Sequence, residues 1–273
     1  MKKTLQYLHE KKSRAEKISM LTCYDYPTAC WEDEAGVDII FVGDSVGTNV
    51  LGYESERDVT MADMVHHLKA VRRGTKNAYL LVDMPYGTCD TPEAALANAQ
   101  AFLAHGADGV KIEGPKKDEV ALLSKHGIEV CSHLGLIPQT QTARGLRAKT
   151  AASAVQLARD ALAMQDAGAA LVLFETIPEE IAAYLTERLS IPTIGIGAGR
   201  LTDGQVLVVL DLLGCSPFNF RHNRKYDDFH NRALHALTRY VGDVQAGRFP
   251  GEENLRHMAE SELDEFLTAM AGM

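Results

Sequence analysis

Three short runs of this sequence place charged side chains directly after apolar stretches. The runs are GDS at residues 43–45, DMP at residues 83–85 and KIEG at residues 111–114. The stretches before them are rich in β-branched and large aliphatic residues, as in buried strands. Charged groups at the carboxyl ends of several such strands are typical of the active site of a barrel. Two aspartates and a glutamate in these positions indicate a hard divalent cation with oxygen ligands.

Among these charged residues, Asp44 and Asp83 are the better candidates for direct metal ligands, because each stands at the end of a strand. Lys111 and Glu113 are two positions apart, so their side chains point to the same side of a strand. This pair predicts one of two arrangements. Either the two residues form a salt bridge inside the barrel, or Lys111 receives a substrate carboxylate while Glu113 supports the shell of the metal.

Other polar residues belong to the same predicted rim. Ser45 follows the second strand, His133 lies in the fifth, and Glu175 ends the sixth. One buried charge is explained by a structural ion pair, but several carboxylates together need a cation or mutual hydrogen bonds. Uncompensated burial would cost several kcal/mol for each of them. The glycine-rich run at residues 195–199 predicts either an anion cradle or tight packing at the rim.

Eight apolar runs that alternate with helical patterns predict the elements that carry these residues. The candidate strands are residues 19–24, 39–43, 79–84, 109–113, 129–134, 170–175, 192–197 and 207–212. The last run is also compatible with a helix over residues 205–213. Alternating strands and helices indicate a parallel sheet. Eight such units in about 200 residues favour an α/β fold of the (β/α)8 TIM barrel type over a doubly wound open sheet.

The character of the chain changes after Gly214. Two helical patterns, at residues 227–245 and 254–270, are separated by a turn signal at residues 247–251. We interpret them as appended C-terminal helices that cover the barrel or form a subunit contact. The sequence therefore predicts one barrel domain over residues 1–273, with residues 215–273 as its helical extension.

Composition narrows the classes of function. The chain has 273 residues, of which 46% are hydrophobic, and this is enough for one large core. A net charge of −9 without a basic patch predicts no nucleic-acid partner. The basic start lacks a following apolar stretch, and no run reaches the roughly 18 apolar residues of a membrane span, so neither a signal nor an anchor is expected. Five cysteines without a CxxC pair predict a cytoplasmic protein with reduced thiols.

These runs, together with others in the same order, resemble the ketopantoate hydroxymethyltransferase (3-methyl-2-oxobutanoate hydroxymethyltransferase) family. The matching segments are residues 21–25, 43–47, 71–74, 83–85, 110–114, 133–139, 191–199 and 203–208. They extend over roughly residues 17–214. A match of this extent is far more specific than any one short motif.

The resemblance implies an enzyme of pantothenate biosynthesis. In the reaction that it implies, a hydroxymethyl group passes from 5,10-methylenetetrahydrofolate to 3-methyl-2-oxobutanoate through an enolate, with Mg²⁺ as cofactor, and gives ketopantoate. The family also implies a homo-oligomer, typically a decamer. Its small-molecule partners are thus a 2-oxo acid and a folate.

The same resemblance implies roles for individual residues. Asp44 and Asp83 would bind the metal, with Glu113 beside it as the third residue of the metal site. Glu175 would be the catalytic base. The implied substrate-binding residues are Asp44, Ser45, Asp83, Lys111 and His133. Within that set Ser45 and Lys111 would hold the carboxylate of the 2-oxo acid.

Several segments depart from the family pattern. The segment after Gln139 is shorter and lacks a Gly-Gly-aromatic element, residues 55–59 lack the usual Thr-Leu-Pro, and residues 86–89 replace an aromatic-x-Ser-Tyr run. Leu210 stands where a histidine is common. Three alternatives therefore stay open. They are a paralogue that acts on another 2-oxo acid, a C–C lyase like the phosphoenolpyruvate mutase and isocitrate lyase barrels, and a non-catalytic scaffold.

Overall fold

The computed structural model describes residues 2–141, 145–216 and 223–273. Eight parallel strands close into a barrel in sequential order, and β8 pairs with β1. The strands are β1 Ile18–Thr22, β2 Ile39–Val42, β3 Tyr79–Asp83, β4 Gly109–Glu113, β5 Glu129–Gly135, β6 Leu171–Glu175, β7 Thr193–Ile196 and β8 Gly204–Leu207. The predicted (β/α)8 TIM barrel is confirmed, and the closed ring excludes the open sheet.

Helices surround the ring and follow the alternation seen in the sequence. They are α1 Leu5–Ser13, α2 Tyr26–Glu34, α3 Met61–Gly74, α4 Pro92–Ala104, α5 Lys117–Lys125, α6 Ala151–Asp166, α7 Glu179–Arg188 and α8 Val209–Leu212. The strands are apolar on both faces because one face fills the barrel and the other packs against these helices. Phe41 and Leu81 belong to the interior cluster, whereas Ile40 and Leu80 belong to the layer between strands and helices.

The eighth unit differs from its prediction. Residues 207–212 do not form a strand, because β8 ends at Leu207 and α8 begins at Val209. Gly204 allows β8 to approach β1 closely, since a Cβ there would lie 2.5 Å from the carbonyl oxygen of Ile18. The backbone N–H of Val209 then donates to Thr22 Oγ1 at 3.0 Å. One apolar run thus serves two elements, and the helical interpretation was correct for its second half.

Helix α1 covers the amino-terminal end of the barrel. Leu8 on this helix is fully buried and belongs to the interior cluster. The aspartates that directly precede β2, β4 and β8 pair with lysines of the first twelve residues. The ion pairs are Lys2–Asp108, Lys3–Asp38, Lys11–Asp38 and Lys12–Asp203. The basic start of the sequence therefore has a structural role at this end of the barrel.

The chain divides into two compact units, Met1–Tyr226 and Asp227–Met273. The second unit contains α9 Phe229–Gln245 and α10 Glu260–Ala271, so the appended C-terminal helices are confirmed. This second unit begins within residues 215–273, the stretch that the sequence predicts as a helical extension. The organisation of the whole chain as a single domain stays a prediction. Among the described residues, no helix has the length and apolar character needed to cross a membrane.

Candidate active site

The carboxyl ends of β2 to β6 bring the predicted polar residues to one end of the barrel. Parallel pairing sets them side by side, since Asp83 is in register with Lys111, and Glu113 with His133. Glu175 is the last residue of β6, opposite Gly135 of β5. The set named from the sequence therefore lies on one rim. It consists of Asp44, Ser45, Asp83, Lys111, Glu113, His133 and Glu175.

The centre of the site is an ion pair between Lys111 and Asp83. Lys111 Nζ lies 2.7 Å from Asp83 Oδ1 and 2.8 Å from Oδ2, and both side chains are buried. Burial lowers the pKa of Lys111, but the charges of Asp83, Glu113 and Asp44 outweigh this effect and raise the pKa above its usual range. Burial also raises the pKa of Asp83, against the opposing charge of Lys111. Lys111 therefore stays charged at neutral pH.

His133 lies between two glutamates. Its Nδ1 is 3.3 Å from Glu113 Oε1, and its Nε2 is 3.2 Å from Glu175 Oε2. Neither contact has the angular geometry of a hydrogen bond, so both act through charge and proximity. Burial and Lys111 lower the pKa of His133, but the two glutamates outweigh them and raise it to about 9. Burial raises the pKa of Glu113, but the contact with His133, the charge of Lys111 and the backbone N–H of Gln139 together lower it, so the net shift is downward.

The site carries more negative than positive charge. Four carboxylates and two cations leave an excess of two negative charges when all are ionised. These groups are Asp44, Asp83, Glu113 and Glu175, with Lys111 and His133. Asp44 shows the effect most clearly, since burial and then the charge of Asp83 raise its pKa well above the usual range. A divalent cation would supply the missing charge, and carboxylate oxygens are the ligands that Mg²⁺ prefers.

Asp44 and Asp83 are the pair best placed to hold such a cation. The backbone N–H of Asp44 is directed at Asp83 Oδ2 at 3.4 Å, so the two residues adjoin. Within the described residues, no group of three or more His, Cys, Asp or Glu side chains is arranged to hold a metal ion. A cation on the two aspartates would therefore complete its shell with substrate oxygens and water, as Mg²⁺ commonly does. Glu113 contacts His133 and the backbone N–H of Gln139 in the structure.

Gln139 is a site residue that the sequence analysis did not single out. It is 6% exposed and lies in the segment after β5. Its Nε2 donates to Asp44 Oδ2 at 2.7 Å and to the carbonyl oxygen of Met84 at 3.0 Å. Its backbone N–H donates to Glu113 Oε2 at 3.0 Å. Its position in segment 133–139, which resembles the family, could have indicated a site residue. A single glutamine in a loop, however, belongs to no periodic pattern from which these contacts could be predicted.

Ser45 is oriented by a second residue that was not singled out, Tyr24. The Tyr24 hydroxyl and Ser45 Oγ lie 2.8 Å apart. Burial raises the pKa of Tyr24, so its hydroxyl stays protonated. Gly43 leaves the space for this arrangement, because a Cβ there would lie 3.0 Å from Ser45 Oγ and 3.1 Å from the ring of Phe41.

The backbone around Glu175 is tightly constrained. Gly135 has φ +99°, and a Cβ at this position would lie 2.3 Å from the Glu175 carbonyl oxygen. Thr176, which follows Glu175, has φ +52°, a left-handed conformation that costs a non-glycine residue about 1–3 kcal/mol. Its N–H donates to Ile196 O and its carbonyl accepts from the backbone N–H of Arg147, both at 2.8 Å. The Glu175 side chain is 20% exposed, so a substrate in the mouth of the barrel can reach it.

The end of the glycine-rich run at residues 195–199 packs against the Glu179 side chain. The backbone N–H of Arg200 donates to Glu179 Oε2 at 2.7 Å, and the Arg200 side chain pairs with the same carboxylate. Gly199 has φ +81°, and a Cβ there would lie 2.5 Å from the Glu179 side chain. The structure thus supports tight packing at the rim over a cradle for an external anion.

Open space lies beside the charged cluster, along the segment after β5. One cavity of about 230 Å³ is lined by Gly135, Gln141 and the start of α6, and another of about 200 Å³ by Arg57, Leu136 and Gln141. The buried carboxylates line neither cavity. The two cavities therefore lie outside the cluster of buried carboxylates, along segments that the sequence analysis expects to depart from the family pattern.

Comparison with known proteins identifies the family of this chain. The sequence model of ketopantoate hydroxymethyltransferase matches residues 2–252. The chain belongs to this family. The 3-methyl-2-oxobutanoate hydroxymethyltransferase of Dehalococcoides mccartyi (strain CBDB1) is 45% identical over 258 residues, 92% of each chain. That of Chloroflexus aggregans is 45% identical over 269 residues, 96% of each chain. The family resemblance is confirmed, and the chain is an enzyme of the hydroxymethyltransferase type.

Solved structures with low sequence identity share the fold. Phosphonopyruvate hydrolase in complex with oxalate and Mg²⁺ has a TM-score of 0.63 at 11% identity, covering 99% of this chain and 98% of its own. The 2,3-dimethylmalate lyase, a member of the phosphoenolpyruvate mutase/isocitrate lyase superfamily, has a TM-score of 0.58 at 15% identity, covering 100% and 99%. These likenesses show the barrel fold alone, whereas the transferase family has support along the sequence.

Proposed function

We propose that this chain transfers a hydroxymethyl group from 5,10-methylenetetrahydrofolate to 3-methyl-2-oxobutanoate in a Mg²⁺-dependent reaction that gives ketopantoate. The observation that carries the proposal is the excess of negative charge at Asp44 and Asp83 beside the cation Lys111. This arrangement suits a metal and an anionic 2-oxo acid together. The names of the curated relatives supply the reaction and the substrate.

In this proposal, Asp44 and Asp83 hold the cation. When bound, Mg²⁺ would polarise the 2-oxo group and make the neighbouring C–H bond more acidic. Lys111 directs two of its three N–H donors at Asp83, and the third would bind the substrate carboxylate. The Ser45 hydroxyl, held by Tyr24, would donate to the same carboxylate. The binding residues would thereby fix the substrate before any bond changes.

Glu175 is the base in this proposal, and His133 keeps it in position. The carboxylate of Glu175 would take the proton from C3 of the 2-oxo acid, which gives the enolate form of the substrate. C3 then forms a bond to the one-carbon unit of the donor. Overall, a water molecule supplies the hydroxyl group as both bonds from the methylene carbon to the folate nitrogens break. The second proton of the water and the proton taken by Glu175 pass to these two nitrogens, and tetrahydrofolate leaves. Protonated His133, whose Nε2 lies 3.2 Å from Glu175 Oε2, would hold this carboxylate in place.

Removal of the C3 proton and transfer of the one-carbon unit can be tested separately. With Mg²⁺ and 3-methyl-2-oxobutanoate in D₂O, but no donor, we expect NMR to show loss of the C3 proton signal. Addition of 5,10-methylenetetrahydrofolate should then give ketopantoate. Glu175→Gln should lose both activities, whereas Glu180→Gln, an exposed glutamate on α7, should keep both. Exchange that persists in Glu175→Gln would remove Glu175 as the base, and exchange without product would remove the folate reaction.

A second candidate is the same chemistry on a different 2-oxo acid. It is favoured by the charged lining of the cavity near the mouth, which includes Glu54, Glu56 and Arg57. Proton exchange measured with pyruvate, 2-oxobutanoate and 3-methyl-2-oxobutanoate would distinguish the two. A higher rate with an unbranched acid would favour the second candidate.

We also propose that the enzyme works as a cytoplasmic homo-oligomer, with the family's decamer as the expected form. Helix α9 exposes apolar side chains that a monomer seldom leaves uncovered. They are Phe229, Leu234, Leu237, Tyr240 and Val241. The thiols of Cys23, Cys30, Cys89 and Cys131 are free, which suits a reducing compartment. Analytical ultracentrifugation would test the assembly, and a monomeric species at micromolar concentration would contradict it.

A further inference from the structure

Arg57 joins the three segments in which this chain departs from its family pattern. Arg57 itself lies in the first segment, residues 55–59, on a short 3₁₀ turn Glu56–Asp58. Its Nε donates to the carbonyl oxygen of Gln139 at 2.7 Å, where the shortened segment begins. Its guanidinium lies 5.2 Å from the ring centroid of Tyr86, which opens the segment at residues 86–89. The three departures are thus in contact through one side chain.

The residue that Arg57 holds is itself in contact with the charged cluster. Gln139 donates to Asp44 through its side chain and to Glu113 through its backbone N–H. Its Nε2 also donates to the carbonyl oxygen of Met84, next to Asp83. Gln139 therefore links the ends of β2, β3 and β4, and Arg57 fixes the opposite, carbonyl side of the same residue.

The chemistry of these contacts explains why an arginine suits the position. A guanidinium is planar, so it can donate a hydrogen bond through Nε while its face packs on an aromatic ring. Tyr86 restricts the plane of Arg57, and the hydrogen bond from Arg57 restricts the backbone at Gln139. The amide of Gln139 is then held against Asp44, whose carboxylate is short of positive charge. Groups that hold a metal ligand in this way set its orientation, and their loss commonly costs 10–100-fold in metal affinity.

We propose that Arg57 is a positioning residue that acts through Gln139 to orient Asp44 toward a divalent cation. Gln139 lies between Arg57 and Asp44, and Tyr86 packs against the guanidinium of Arg57. This inference rests on the proposed metal site at Asp44 and Asp83. It adds a determinant of metal affinity that belongs to the segments in which this chain differs from its family.

Isothermal titration calorimetry with Mg²⁺ tests the inference without turnover. The full chain is titrated with MgCl₂ in the presence of 3-methyl-2-oxobutanoate and in the absence of a folate donor. Gln139→Met keeps the length of the side chain but removes its donors, and we expect Mg²⁺ to bind about 10–100-fold more weakly. Arg57→Leu should weaken binding about 3–10-fold, since it acts one residue further away. The double variant should match Gln139→Met alone, because both changes remove the same orientation of Asp44.

Kinetics supply a second readout. For Arg57→Leu, the Mg²⁺ concentration for half-maximal rate should rise by the same factor as the dissociation constant. The kcat at saturating Mg²⁺ should stay within about twofold of the unchanged protein. Arg14→Leu is the matched control, because Arg14 is an exposed arginine paired with Glu10 at the other end of the barrel, and it should bind Mg²⁺ normally. Arg57→Lys keeps charge and bulk without the planar group, and it should show a smaller defect in the same direction.

The outcomes separate this inference from the proposed function. If the unchanged protein takes up no Mg²⁺, the metal site and this inference both fail. If it takes up Mg²⁺ and the Arg57 variants, folded by circular dichroism, bind it equally well, only the inference is overturned. Additive losses in the double variant would also overturn it, because Arg57 would then act independently of Gln139.

Discussion

Aspartates lie at both ends of this barrel, in opposite electrostatic surroundings. At the amino-terminal end, Asp38 accepts hydrogen bonds from Lys11, from Tyr7 and from the backbone N–H of Ser19. Burial alone would raise its pKa, but these contacts lower it to about 2. At the carboxyl-terminal end, burial raises the pKa of Asp44 well above its usual range.

The difference shows at which end of the barrel the carboxylates are balanced by cations of the chain itself. Each aspartate that precedes β2, β4 or β8 has a lysine partner supplied by the first twelve residues. In contrast, the four carboxylates of the opposite rim share Lys111 and His133. Removing one partner of an ion pair that is closed within the chain costs stability, whereas an excess of one charge favours the binding of a ligand of the other. The amino-terminal end therefore closes its ion pairs within the chain, whereas the carboxyl-terminal end keeps an excess of negative charge that suits the proposed cation.

The largest effect should follow from Asp83→Asn at the carboxyl-terminal rim. We expect kcat/KM to fall on the order of 10³-fold and the response to Mg²⁺ to disappear, since the proposed metal ligand and the partner of Lys111 are lost together. The fold should persist, because Asp44 and Glu113 still surround Lys111. Rates across a Mg²⁺ series, with thermal unfolding as the check on folding, measure this. A folded variant whose Mg²⁺ response is unchanged would contradict the ligand assignment.

The comparison is sharpened by Glu32, a buried carboxyl group that belongs to neither set of aspartates. Glu32 on α2 is 4% exposed, neither of its oxygens has a hydrogen-bond partner among the described residues, and burial raises its pKa to about 9. The folded state then keeps a proton that the unfolded state releases above about pH 4.5, so stability falls as pH rises from there to about 9. Glu32→Gln should be more stable at pH 8 by about 1–3 kcal/mol.

Urea unfolding at pH 5 and pH 8 measures that prediction. The gain from Glu32→Gln should be small at pH 5 and larger at pH 8. Glu34→Gln on the same helix is the control and should change little at either pH. An equal gain at both pH values would show that Glu32 is ionised in the folded protein.

The amino-terminal end should respond to the opposite change of pH. The pKa of Asp38 is lowered on folding, so its contribution is present above about pH 4 and is lost as pH falls through about 2. Asp38→Asn should lower stability at pH 7 by about 1–2 kcal/mol, because the paired lysines remain partly exposed to water. Its specific activity should be unchanged. Guanidinium unfolding at pH 7 and pH 3 tests this, and lost activity without lost stability would break the division between the two ends.

The smallest effect should come from Tyr24→Phe. This change removes one hydrogen bond to Ser45, worth about 0.5–1.5 kcal/mol. We expect KM for the 2-oxo acid to rise about 3–10-fold while kcat changes little. Steady-state kinetics at saturating Mg²⁺ measure both values. A fall in kcat with an unchanged KM would mean that Ser45 acts in the chemical step and not in substrate binding.

The sequence predicted the barrel because strand and helix periods alternate along it, and that signal is local. It also predicted the charged rim, since Asp83, Glu113 and Glu175 each end a strand whose apolar pattern marks the boundary. It did not predict Gln139 or Tyr24 as site residues, because their contacts join positions 21 to 95 residues apart and leave no period. The eighth strand was misplaced for a related reason, since one apolar run continued from a strand into a helix.

The ion pairs between lysines of α1 and aspartates of the barrel also bear on the order of folding during translation. Lys12 and Asp203 are 191 positions apart, so this helix leaves the ribosome long before its last partner does. Contacts of such separation form late, after the intervening chain is in place. Nascent chains stalled before β8 emerges should therefore leave α1 open to protease, and chains stalled after β8 should protect it. Protection of α1, which is translated early, would thus indicate that the barrel has closed.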